Sequence, residues 1–394
     1  MDGHNRTRMA RVGLFPLGSV KSTTTPAINA TTFISETFEA LAKISDNSLL
    51  KRFNDVTEGL YYGGVDTPTT LHMAAQVAAL EKGSHAVITP SGQSAVTIAI
   101  SALVSAGDHV LVVDSATYST KWLFDRHFSR GGVQIEYFRP KEAYTICERI
   151  RANTRVVFME IPGSFTFDLI DLEVVVAACR SHGVISIVDN TWSASTFLNP
   201  FAHGVDLSVV SLGKTHAASA GVSLGAVVSR SDGVHAKVKC EAALLGYHVS
   251  SEACSSALIS ISTLASRLSQ QMTSTEVIIE ALGSVCSVFR IMHPSIPADT
   301  NGPLFKKYFS GFNSLLSVEF RMRSEDLVAC LNKLRLINIG YGWGGTLSLV
   351  CMFGKDELPH LSKVGITGPC ARFYIGLEDP SELAEDIAQA FSAW

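Results

Sequence analysis

The sequence predicts an α/β protein: a mainly parallel sheet domain followed by a smaller α+β domain. Three observations carry that expectation. From about residue 61 to Gly225, short apolar runs alternate with segments of helical period. The runs are almost continuously apolar, as strands are when both faces of a sheet are covered. Beyond SLGAVVSR the alternation stops, and long helix gives way to shorter strand-like runs.

Taken in order, residues 1–60 lack strong periodicity and include the Thr-rich SVKSTTTPAINATTF, so they read as an extended arm. Strands are predicted at HAVIT (85–89), HVLVV (109–113), VQIEYF (133–138), RVVFME (155–160), VISIVD (184–189) and LSVVS (207–211). Helical segments such as SAVTIAISALV and DLEVVVAACRSHG lie between them. Residues 253–283 read as long helix, with room for an interruption. The strand-like LLSVEFRM, TLSLVCMF and ARFYIGL follow, and then the amphipathic SELAEDIAQAFSAW. The simplest division is an arm (1–60), a large domain (61–250) and a small domain (251–394).

Composition narrows the function classes. The chain has 394 residues, 46% hydrophobic and only 17% charged, enough for a large buried core. The net charge of −4 carries no Lys/Arg run, which argues against a nucleic-acid surface and for a small-molecule ligand. No apolar stretch reaches membrane-spanning length. MDGHNRTRMARVGLFPLGSV has no apolar core of signal-peptide type, so the expected location is cytoplasmic. Eight scattered cysteines without a C-x-x-C pair read as buried thiols, not as a disulfide framework or zinc site. No internal repeat or low-complexity segment is visible.

Four segments carry chemistry. In SVVSLGKTHAASAGVSLGAVV, Lys214 follows a predicted strand among small residues. Desolvation there would lower its pKa and make it a nucleophile, although a snorkelling strand-end lysine reads equally well from this stretch alone. Asp189 ends the apolar strand of VISIVDNTW, at the edge where open α/β sheets bind ligands. An acid there can pair with the protonated pyridine nitrogen of pyridoxal 5′-phosphate (PLP), while a turn or cap role is the commoner fate of such a residue. In VITPSGQSAVTIAI, Ser91, Gly92 and Gln93 would present backbone N–H groups at a helix start, a phosphate cradle that is weak evidence alone. Tyr118, beyond the strand end in VVDSATYSTKWLF, would stack on a cofactor ring or simply pack. All four fall at one edge of one sheet, and the joint pattern is far more specific than any member.

The segments LYYGGVDTPTT, PSGQSA, DSATYSTKWLF, MEIPGSFTFDLIDL, IVDNTW, SLGKTHAA, IGYGWGG and ARFYIGLEDP resemble the Cys/Met-metabolism family of fold-type I PLP enzymes. The resemblance runs from about Val20 to the C-terminus and is strongest to its branch of bacterial cystathionine β-lyases. It implies a seven-stranded, mainly parallel sheet domain with PLP as cofactor. It also implies an amino-acid substrate and a homotetramer of two dimers with shared active sites. By this resemblance Lys214 is the Schiff-base lysine and general base, Asp189 the pyridinium partner and Tyr118 the stacking ring. Gly92, Gln93 and Ser211 hold the phosphate, and Tyr62 reaches the phosphate of the neighbouring subunit. Arg372 clamps the substrate α-carboxylate and Trp343 lines the pocket; without the resemblance, a solvent-face arginine and a core tryptophan would be preferred.

Departures from the family pattern fall in the site. Gly64 replaces the arginine of Y-x-R, Gly213 the hydroxyl residue of S-x-T-K, Thr215 a tyrosine and Gly342 a serine. A pocket tyrosine aligns loosely with Cys254. Losing one charged and one neutral phosphate donor costs roughly 2–4.5 kcal/mol. Thr215, His216, Lys51 and Arg52 are the candidate substitutes. Three functions are open: a carbon–sulfur β-lyase acting on cystathionine or another S-substituted L-cysteine; a PLP enzyme of γ-replacement or other Cα-initiated chemistry; and a non-catalytic relative. The products separate the first two, and retention of Lys214, Asp189 and Arg372 argues against the third.

Overall fold

Nearly every apolar run predicted as a strand forms one, because its Val and Ile side chains suit a pleated surface buried on both sides. The fold comes from a computed structural model that describes residues 3–44, 60, 62–296, 301–353 and 365–393. The large sheet has seven strands in the order His85–Thr89, Gly225–Ser229, Leu207–Val210, Ile185–Asp189, Thr154–Glu160, His109–Val113, Gln134–Phe138. Only Gly225–Ser229 runs antiparallel to its neighbours. Every residue of His109–Val113 is buried, and each such Val or Leu contributes about 1.5–3 kcal/mol of burial.

Helices close both faces. Leu172–His182 buries Leu172, Val175, Val176, Ala178 and Cys179, one stripe at helical spacing. It ends at Gly183, whose φ of 66° is the left-handed conformation that suits a glycine cap. The long helix divides at Thr263 into Ser251–Ser262 and Leu264–Gly283. The second half packs with Pro380–Ala390 on a smaller sheet, burying Ile278, Leu282, Leu383 and Ile387 beside Leu316, Val318 and Phe373. The small sheet orders Val288–Met292, Leu315–Phe320, Cys370–Tyr374, Leu349–Phe353, Asn338–Ile339.

The N-terminal reading requires a correction. Gly3–Ala10 is a helix, and Met9 and the following Val12 are fully buried in the main core of their own chain. Eight residues with so few apolar side chains give too little periodicity to read from sequence. The Thr-rich stretch is tied down by its own chain as well: Ile28 N–H donates to Thr69 Oγ1, and Ser251 and Ser255 hydroxyls donate to Ile28 and Thr25 carbonyls. The cysteines are free thiols; Cys147 and Cys286 are exposed and Cys240 is half-buried, the other five being buried. Among the described residues no helix is long and apolar enough to cross a membrane.

Candidate active site

Six parallel strands end at the same edge, and the residues just beyond them converge there. A cavity of about 940 Å³ opens at this edge. It is lined by Gly92, Gln93, Tyr118, Asp189, Ser211 and Lys214 from the large sheet, with Trp343 and Arg372 from the C-terminal part. Eight of the nine site residues named from sequence therefore meet in one space. Tyr62 does not line it; it is half-exposed, bridged to Thr32, and its neighbour Gly64 lines a separate 670 Å³ cavity.

Local geometry explains the glycine of PSGQSA. Ser91 caps the helix Gly92–Ser101 reciprocally with Ser94: its hydroxyl accepts from Ser94 N–H, and Ser94 Oγ accepts from Ser91 N–H. That leaves the Gly92 and Gln93 N–H groups, which have no intrahelical acceptor, at the cavity wall. A Cβ on Gly92 would lie 2.4 Å from Ser211 Cβ and 2.5 Å from Ser211 Oγ. Only glycine lets the serine hydroxyl rest against the helix start. Ser211 is held in turn by its own N–H, which donates to Thr191 Oγ1 at 2.8 Å.

Lys214 lines the same cavity, three residues after Ser211. Among the described residues its Nζ makes no hydrogen bond or ion pair; the Trp343 ring centroid lies 5.6 Å away. Burial pushes the ammonium pKa down, and the Arg372 guanidinium adds to that, while Asp189 and Glu160 oppose it. The backbone is braced from behind: Arg267, itself buried, donates to the carbonyls of Thr215 and Ser260 at 2.9 Å each. In front, Gly344 comes so close that a Cβ would lie 2.5 Å from Lys214 C and Thr215 N.

Asp189 and Glu160 are register partners on adjacent parallel strands. Burial raises both carboxyl pKa values, Glu160 well above the ordinary range, and the Asp189 charge pushes Glu160 further. Hydrogen bonds from Thr191 and the nearby Lys214 pull Asp189 back toward ionisation. Glu160 accepts the Thr117 N–H at 2.6 Å, which anchors the turn preceding Tyr118. The sequence reading assigns Glu160 no role, although the signal that marks Asp189, an acid ending an apolar strand, applies equally to it.

Arg372 lies in the central strand Cys370–Tyr374 of the small sheet, opposite Ser317 and Cys351. It is buried, its Nη2 donates to the Tyr341 carbonyl at 2.6 Å, and its guanidinium lies 4.9 Å from the Phe165 ring and 5.9 Å from that of Phe353. Among the described residues no carboxylate pairs with it. Phe165 reaches this position with a φ of 69°, a strained backbone of the kind found at functional sites. Tyr118 is half-exposed and stacks on Trp122 at 6.0 Å.

The candidate substitutes of the sequence reading are differently placed. Thr215 and His216 are buried outside the cavity lining, with His216 Nε2 2.8 Å from Ser195 Oγ. Cys254 is buried in its helix, likewise off the cavity. Lys51 and Arg52 lie outside the described residues. A Cβ at Gly342 would meet only Leu349 Cδ1, at 3.7 Å, so that side of the loop is open.

PLP fits what is present. Free helix-start N–H groups and a serine hydroxyl suit a phosphate. A buried carboxyl in the same cavity suits a protonated ring nitrogen, and a desolvated amine suits a covalent anchor.

A family model described as Cys/Met metabolism PLP-dependent enzyme matches residues 7–392. A cystathionine beta-lyase of Bordetella avium is 31% identical over 366 residues, covering 93% of this chain and 91% of that protein. An L-alanine/L-glutamate racemase of Wolbachia pipientis wMel is 26% identical over 373 residues, 93% of this chain and 92% of its own. The crystal structure of cystathionine gamma-lyase from Lactobacillus plantarum complexed with L-serine superposes with a TM-score of 0.88 at 21% identity, over 100% of this chain and 99% of that one.

Proposed function

The chain belongs to the Cys/Met metabolism PLP-dependent enzyme family, and from that premise we propose that it is a carbon–sulfur β-lyase. The substrate is cystathionine or another S-substituted L-cysteine, and the products are a thiol, pyruvate and ammonia. One observation carries the reading: a desolvated lysine, a strand-end acid and a buried arginine line a single cavity. The 31% identity to the B. avium lyase favours β-elimination among the family's reactions.

When bound, PLP supplies a protonated ring that takes up the electron pair left at a substrate Cα. Gly92 and Gln93 N–H groups and the Ser211 hydroxyl would hold its phosphate, Asp189 would keep its ring nitrogen protonated, and Tyr118 would pack against its ring. Arg372 grips the α-carboxylate with its fork, already stripped of water by Phe165 and Phe353, which strengthens a charge-assisted bond. That grip aims the Cα–H at Lys214 Nζ. Burial and the Arg372 charge lower the lysine pKa, which favours the neutral amine that takes the proton. Trp343, over the lysine, limits where Nζ travels.

The active unit is a homodimer at least, and a homotetramer by the family pattern; the position of Tyr62 away from its own chain's cavity supports a shared site. The similarity to the Wolbachia racemase favours a second reading, a different reaction that also begins by removing the Cα proton. Incubation with S-substituted cysteines decides between them. Equimolar pyruvate and free thiol are expected, with both lost in Lys214→Ala. Substrate consumed without thiol release overturns the lyase reading, and a fully active native monomer overturns the shared site.

A further inference from the structure

The reversed strand Gly225–Ser229 has a chemical consequence. Because it runs against its neighbours, the residues that precede it arrive at the same edge where the parallel strands end. Ser223 thereby joins the cavity wall with Ser91, Gly92, Gln93 and Ser211. Its hydroxyl donates to the carbonyl of Pro90, the residue before the helix-start turn, at 3.2 Å in an exposed position. Such a bond is long, open to water and easily exchanged.

The same segment accounts for Gly213. Its N–H donates to the Leu224 carbonyl at 2.9 Å, which pulls residues 222–224 against it. A Cβ at 213 would lie 3.2 Å from Ser223 Cα and 3.4 Å from the Val222 carbonyl oxygen, tighter than ordinary contact. The space beside residue 213 is thus filled by the Ser223 backbone, and a hydroxyl enters from 223 where 213 offers none. The hydroxyls closest in sequence to the two turns already have partners. Those of Ser91 and Ser94 bond each other, Thr191 Oγ1 accepts from Ser211 N–H, and Thr215 Oγ1 lies 3.4 Å from His216 Nδ1.

We propose that Ser223 is a ligand of the cofactor's phosphate, its hydroxyl turning from the Pro90 carbonyl to a phosphate oxygen. The inference rests on the PLP reading above. A dianionic phosphate offers three terminal oxygens, more than two N–H groups and one serine can satisfy, and a hydroxyl donates while leaving its own lone pairs to water.

The test is the affinity of the apoprotein for PLP and for pyridoxal, which lacks the phosphate, measured by titration of lysine-bound absorbance. Ser223→Ala should weaken PLP roughly 10- to 100-fold, the range for a lost hydrogen bond to a charged group, and leave pyridoxal within about twofold. Ser223→Thr, which keeps the hydroxyl, should retain most of the PLP affinity. Thermal melting of each apoprotein verifies the fold. Equal weakening of both ligands, or no change in PLP affinity, overturns the inference. A wild-type protein that binds PLP no better than Lys214→Ala overturns the cofactor reading first, and the inference with it.

Discussion

Replacing Gly344 by alanine tests how the C-terminal loop seats on the lysine. Gly344 has a φ of +97°, and its added Cβ would lie 2.5 Å from Lys214 C, 2.5 Å from Thr215 N and 2.9 Å from Lys214 Cα. A non-glycine residue in that conformation costs about 1–3 kcal/mol. Overpacking against rigid backbone adds about 1–3 kcal/mol, since no flexible side chain can swing aside. The sum, roughly 2–6 kcal/mol, is relieved only by lifting the 341–345 loop. That loop holds Arg372 through the Tyr341 carbonyl and places Trp343 over Lys214 Nζ. The urea midpoint should therefore fall, and the KM for an S-substituted cysteine should rise at least tenfold, as an arginine clamp moved out of register would require. Gly345→Ala is the matched control: no positive φ, and a Cβ that would touch only Ala218 Cβ at 3.9 Å. Its stability should stay within about 0.5 kcal/mol of the parent, as for substitutions away from special sites. Equal behaviour of the two variants in both assays would refute the reasoning.

Three further outcomes are expected. Arg372→Ala should raise KM by about one to two orders of magnitude through loss of a charge-assisted fork, with lysine-bound cofactor absorbance unchanged; unaltered kinetics would place the arginine outside the substrate site. Asp189→Asn should still bind PLP but lose turnover by about two to three orders of magnitude, as when a preorganised electrostatic partner is removed; near-normal rates would exclude the ring-nitrogen role. The stability contributed by three buried imidazoles should fall on acidification, against an opposing gain from the raised Asp189 and Glu160 carboxyls. Burial lowers the imidazole pKa of His216 to about 3 and those of His235 and His293 to about 4, from an ordinary 6.5. The unfolded chain then binds more protons below pH 6.5, so stability present above that pH is lost toward pH 4, at up to about 1.4 kcal/mol per unit for each ring. A pH dependence of the urea midpoint between pH 7 and pH 5 that is the same in His293→Gln as in the parent would contradict this.

Much of the candidate site is legible in the sequence because the residues that line its cavity sit at strand ends. Apolar runs mark where each strand stops, and the next residues must then lie at the ligand-binding edge. Lys214, Asp189, Tyr118 and the PSGQSA turn were found this way. Glu160 carried the same mark and was passed over, because the resemblance assigned it no task. The N-terminal helix was missed for the opposite reason: its burial comes from partners far along the chain, not from a periodic face of its own.

What the sequence alone determined is the set of elements and the residues at their ends. Periods of 2 and 3.6 are local properties, written into neighbouring side chains and enforced by backbone geometry. The tertiary structure alone decided which ends face one another. It brought Glu160 into register with Asp189, pressed Gly344 on the backbone of Lys214, set Arg372 beside the Phe165–Phe353 pair, and carried Ser223 into the cavity wall by reversing one strand. Each of these juxtapositions joins segments separated along the chain, from about ten residues to more than two hundred. Strand order, direction and register arise when the whole core closes at once, so no local pattern encodes them.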